Sequence, residues 1–193
     1  MSRCSTTSGV ALGLAALLVV WPVAAASEKA CASFAKADAG VGAAELTSER
    51  FRDNGDGTVT DLDSKLVWMR CSVGQRWQAK RCAGTAGTLT WDDAQRRALD
   101  ANRAADAFYN DWRLPSLREL ATITSRVASP ECARVRTDLA AFPGTAPAAY
   151  WSATSRPGEG DGMRAFALGF GTSGVHVARK DERHHVRLVR TGP

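Results

Sequence analysis

Beyond residue 26 the sequence has no apolar run approaching the roughly 20 residues that a bilayer crossing needs, so no integral membrane span is expected after that point. It also has no Gly-x-Ser-x-Gly elbow, no His-Glu-x-x-His pair and no phosphate-cradling glycine loop. Those absences speak against a serine hydrolase, a zinc protease and a nucleotide-dependent enzyme. No two cysteines stand at the short spacing used by zinc ribbons and fingers, so neither a metal nor another cofactor is expected. Charge of one sign is not dominant either: 25 Lys and Arg face 20 Asp and Glu, for a net charge of +5. So small an excess does not argue for a nucleic-acid partner.

What is present begins with an export signal. Arg3 precedes an apolar run from Val10 to Val23, which ends in Ala24-Ala25-Ala26 before the polar Ser27-Glu28-Lys29. The pattern predicts a signal peptide over residues 1–26, cleaved after Ala26, and a periplasmic or secreted protein. Gly13 and Pro22 interrupt the run, which argues against a retained anchor. Residues 27–49, rich in Ala, Ser, Lys and Gly, read as a flexible N-terminal segment, and 50–190 as one domain.

Cleavage removes Cys4 and leaves Cys31, Cys71, Cys82 and Cys132. Four cysteines in an exported chain imply two disulfides, with three connectivities open. Gly74 and Gly84 can turn the chain between nearby partners, so the favoured pairs are Cys71–Cys82 and Cys31–Cys132.

The fold class expected is α+β, with two helices packed on irregular antiparallel strands. Asn54-Gly55 and Asp56-Gly57 before Thr58-Val59-Thr60 predict a hairpin, and Leu66-Val67-Trp68-Met69 a buried strand. Asp53, Asn54, Asp56 and Asp61 form a turn in this reading. Calcium is the alternative, although Gly55 stands where a calcium loop wants an oxygen ligand. Thr90 caps a helix running to about Ala104, and Ser116 with Glu119 forms the capping box of a second whose buried face continues to Val127. Strands follow at Tyr150–Ser155 and Arg164–Phe170, the latter with its large apolar groups on one face, then around Val175 to Val177 and Val186 to Leu188.

Five blocks appear in order: Phe51 to Asp61, Leu66-Val67-Trp68, Trp112-Arg113-Leu114-Pro115-Ser116-Leu117-Arg118-Glu119-Leu120, Tyr150-Trp151-Ser152-Ala153-Thr154, and Val186-Arg187-Leu188-Val189-Arg190. This series resembles the Lcl C-terminal domain family, named for the end domain of a bacterial collagen-like adhesin. Two of the blocks also resemble the sulfatase-modifying group, which implies a C-type-lectin-like fold. That group's chemistry does not transfer by fold alone, and it relies on a late cysteine pair that a sequence ending its cysteines at Cys132 lacks. No enzymatic activity is therefore expected.

Function is open between a binding module for an acidic or sulfated glycan and, as the alternative, a structural or assembly component that holds a cell-envelope protein, with an enzyme related to the sulfatase-modifying group as the third and least favoured class. The adhesin that names the family implies the first. Arg164, His176, Arg179, Lys180, Arg183 and Arg187 are the candidate ligand-binding residues, because guanidinium groups grip sulfate and carboxylate through paired hydrogen bonds. His184 and His185 are adjacent and point to opposite faces of a strand, so they do not form a ligand pair. Trp112 and Trp151 read as core residues or as sugar-stacking platforms, and Arg113 as an anchor for a carboxylate or backbone carbonyls.

Overall fold

A computed structural model describes residues 49–104, 109–129, 132–157, 162–171 and 174–192. The signal segment, the lead-in and Cys31 fall outside these residues, and with Cys31 the expected Cys31–Cys132 bond. Within them the chain is α+β, mostly strands with two helices.

The hairpin at the start forms as its turn residues demand. β1 (Phe51–Asp53) pairs antiparallel with β2 (Thr58–Asp61), β2 pairs with β3 (Leu66–Met69), and β13 (Val189–Thr191) closes the sheet on the far side of β3. The first and last strands of the described residues thus share one sheet. A second sheet holds five strands in the order β11 (Val175–Arg179), β10 (Arg164–Gly169), β9 (Ala149–Ser155), β12 (His184–His185) and β6 (Thr88–Leu89). Two hairpins stand apart: β4 (Arg76–Gln78) with β5 (Arg81–Ala83), and β7 (Thr124–Ser129) with β8 (Cys132–Thr137).

Helix α1 (Trp91–Arg103) starts where Thr90 caps it, accepting from the Asp93 amide, with Asp92 and Asp93 at its positive end. It buries Ala94 and Ala98, small residues that let the helix lie close over the second sheet. Helix α2 (Leu117–Thr122) has the expected capping box of Ser116 and Glu119. It is shorter than its apolar pattern suggested. The Thr122 and Thr124 hydroxyls donate to the carbonyls of Glu119 and Ala121, and from Thr124 the β-branched chain leaves as β7.

One further expectation is corrected: Val186 to Leu188 is not a strand but a link between β12 and β13. In β10 the small residues Ala165 and Ala167 are buried along with Leu168 and, just past its end, Phe170, and a bulge interrupts the register with β9 between Ala165 and Ala167. Two aromatic-rich clusters make the interior. One gathers Phe51, Trp68, Phe142, Tyr150 and Phe170, the other Trp112, Leu114, Trp151, Val186 and Leu188.

Candidate functional site

The residues that carry the family resemblance turn out to be structural. In the first turn the Asp53 carboxylate accepts from the Gly55 amide at 2.8 Å and from Arg70 at 2.6 Å, while Asp56 accepts from the Thr58 amide and hydroxyl. Asp61, fully buried, is gripped by Arg50 through two hydrogen bonds of 2.9 and 2.6 Å and by Ser64 at 2.7 Å. Burial alone would raise its pKa, but these hydrogen bonds and the Arg50 charge together hold it below the usual carboxylate value. The turn's carboxylates are thus engaged by the protein itself. Gly57 sits at φ +89°, and a Cβ there would lie 2.7 Å from the Trp77 side chain, so this position needs glycine twice over.

The arginines behave alike. Arg113 forks onto Glu119 at 2.8 and 2.6 Å, and its backbone pairs with Val189, which ties the Trp-Arg-Leu-Pro loop to β13. The Arg113 hydrogen bond, aided by those from the Ser116 amide and hydroxyl, draws the Glu119 pKa down to about 2. Arg70 is buried beneath Trp77, 4.1 Å from the ring centroid, and donates to the carbonyls of Ala140 and Ala141. Trp112 and Trp151 are core residues, with the Trp151 indole donating to Leu89 O at 2.8 Å.

Arg187 requires a correction. It was expected on a ligand-facing strip, yet it is 1 % exposed. Its guanidinium donates to the carbonyls of Met69 and Arg70 and to the Thr145 hydroxyl, and lies 4.8 Å from the Phe142 ring centroid. Burial pulls its pKa down from the usual guanidinium value. Val186 and Leu188 on either side are buried in the cluster of Trp112 and Trp151, and Arg187 between them turns to Phe142 and Tyr150 of the other, so the link lies between two buried clusters and carries the charged residue in.

The other candidate residues are dispersed. Lys180 is laid over Trp91, 3.9 Å from the ring centroid, and Arg183 donates to Thr88 O at 2.6 Å. His176 is register partner to the buried Ala167 and so lies on the opposite face of the sheet from Arg179. There it meets His184, the ring centroids 5.7 Å apart, and His184 in turn packs edge-on against Trp151 at 4.5 Å. The His184 pKa is lowered, by burial first and then by His176, against the opposing pull of Glu182. Its Nε2 is 3.5 Å from the Glu182 carboxylate but not aligned to make a hydrogen bond. His185 points the other way, to Tyr150 and Gly87 O, as expected of neighbours on a strand.

Arg164 and Arg179 do come together. They are direct register partners on β10 and β11, and both are exposed. Sequence reasoning missed a third member. The Arg156 amide donates to Arg164 O at 3.0 Å one step beyond the Ser155–Ala165 pair, so Arg156 continues the same row from β9. Folding residues 155–165 into a hairpin would have placed it opposite Arg164 in advance. Three exposed arginines therefore stand side by side, Arg179 on β11, Arg164 on β10 and Arg156 one residue past the end of β9, at the spacing of about 4.8 Å between neighbouring strands. Like charges so placed repel. Asp181 relieves Arg179 with hydrogen bonds of 3.0 and 2.6 Å, and among the described residues no carboxylate pairs with Arg156 or Arg164.

In comparison with known protein families, residues 57–190 fit the family model described as the Lcl C-terminal domain. No curated protein matches the chain.

Proposed function

The chain belongs to the Lcl C-terminal domain family, and we propose from that premise that it is an exported, non-catalytic binding module for an acidic or sulfated glycan. The observation that carries this reading is the row of Arg156, Arg164 and Arg179. A polyanion laid across the strands would relieve their mutual repulsion and offer each guanidinium an oxygen pair. The signal segment, the Cys71–Cys82 disulfide and the origin of the family name in an adhesin support export and surface binding. Cys71 and Cys82 are bonded to each other, so neither of these two offers the thiolate that sulfatase-modifying chemistry would need. Two helices beside sheets that are antiparallel except where β12 runs parallel to β9 suit the C-type-lectin-like scaffold expected from the sequence.

The test is titration of the oxidised protein with heparin as the acidic polymer, at low and high salt. Binding should weaken steeply as salt screens the row. Replacing Arg156, Arg164 and Arg179 together by alanine should weaken it roughly tenfold or more, with thermal unfolding little changed. Equal affinity in that triple variant would end the proposal.

A second reading, a structural or assembly component holding an envelope protein, is favoured by β11. It is the outer strand of its sheet, and Val175 on it is 52 % exposed, an edge open to a partner strand. Salt-insensitive capture of one envelope protein, lost when Val177 is replaced by proline, would favour it.

A further inference from the structure

Away from the arginine row, between α1 and the disulfide loop, lies a cavity of about 210 Å³. Its floor is apolar: Met69, Val73, Ala101 and Leu188. Trp77 forms one wall and is held in place, since Arg70 lies against its ring and Gly57 leaves room only for its present position. The Cys71–Cys82 bond fixes the loop that carries it. Arg97 stands at the rim, exposed, and no carboxylate among the described residues pairs with it. Asp56 is also on the rim, but one of its oxygens already accepts twice from Thr58.

An apolar floor, an indole wall and one unclaimed guanidinium at the mouth have a specific chemical complement. We propose that this cavity binds a small apolar carboxylate: one ring or short aliphatic tail enters among Met69, Val73, Ala101 and Leu188, and the carboxylate meets Arg97. The volume is below the range of drug-sized pockets, roughly 300–1,000 Å³, and suits a single ring or side chain. The same chemistry is presented by a free aryl or alkyl acid and by the C-terminal residue of a peptide. It is independent of the glycan reading, because the arginine row is on the other sheet and shares no residue with the cavity.

The probes are phenylacetate, its neutral amide, and the dipeptide Gly-Phe with a free or an amidated C-terminus, titrated into the oxidised, isotope-labelled full chain and followed by backbone amide shifts. Saturable shifts are expected at Ser72 to Gln75 and along α1 near Ala101, with the acids binding more tightly than their amides. Arg97→Gln should weaken the acids about tenfold, the effect of losing one charge-assisted contact, and leave the amides unchanged. Ala101→Phe, which fills the cavity, should abolish binding of all four, and Arg97→Gln decides the matter if that variant does not fold. Whichever acid binds tighter identifies the source, free acid or peptide terminus. No saturable shifts at these amides, or affinity that ignores Arg97→Gln, would overturn the proposal.

Discussion

Two arginines of equal charge show how position alone sets a residue's role. Arg187 is enclosed, its guanidinium satisfying the carbonyls of Met69 and Arg70 and facing Phe142. Arg179 is 63 % exposed and paired with an equally wet Asp181. Arg187→Ala should therefore cost about 3 kcal/mol or more in urea unfolding, because it opens a cavity and strands buried acceptors. Arg179→Ala should change stability by less than about 0.5 kcal/mol. A near-neutral Arg187→Ala would remove the structural role assigned to it. His184 supplies a second residue-scale prediction. Its folded pKa lies below the ordinary 6.5 while the unfolded chain keeps that value, so the unfolded state binds more protons just below it. Stability is thus intact above pH about 6.5 and falls as the pH drops below it. His184→Phe, which keeps the ring against Trp151, should flatten that part of the stability curve measured between pH 7 and 5.

The second helix is short enough that its cap decides whether it forms. Glu119 closes the capping box and holds Arg113, and its pKa is drawn from 4.5 to about 2. A depressed carboxylate stabilises fully above its unfolded value and loses that contribution as the pH falls toward the folded one. Glu119→Gln should consequently cost about 1–2 kcal/mol at pH 7 and progressively less from pH about 4.5 downward, as urea unfolding at pH 7 and pH 3 would show. The cap was legible in the sequence because Ser116 and Glu119 are three residues apart and the interaction is local. The helix's end was not, because it depends on Thr122 and Thr124 turning their hydroxyls back on the helix and on Thr137 donating to Ile123 O from 14 residues away. The hairpin of β1 and β2 was legible for the same reason as the cap: Asn-Gly and Asp-Gly carry their turn geometry with them.

At the scale of the molecule, local signals were readable and pairings across distance were not. The Arg164–Arg179 contact follows from a hairpin and was within reach, whereas the burial of Arg187 depends on Ser72, Phe142 and Thr145, which its own neighbourhood does not announce. The cavity beside Trp77 is likewise made by four separated stretches, so no motif foretold it. What distance also provides is independence. The Cys71–Cys82 bond closes a loop of sequence separation 11 around the β4–β5 hairpin, while the arginine row belongs to the sheet of β9, β10 and β11. Closing such a loop restricts the unfolded chain and is worth about 3 kcal/mol in the chain-entropy account. Replacing both cysteines by serine should lower unfolding stability by about that amount and loosen Trp77 from Arg70. Heparin affinity of the folded variant should stay within about twofold of the parent, since Arg156, Arg164 and Arg179 keep their register partners. Calorimetric unfolding combined with heparin titration separates the two effects, and a joint loss of stability and affinity would show that the disulfide loop and the arginine row are one unit rather than two.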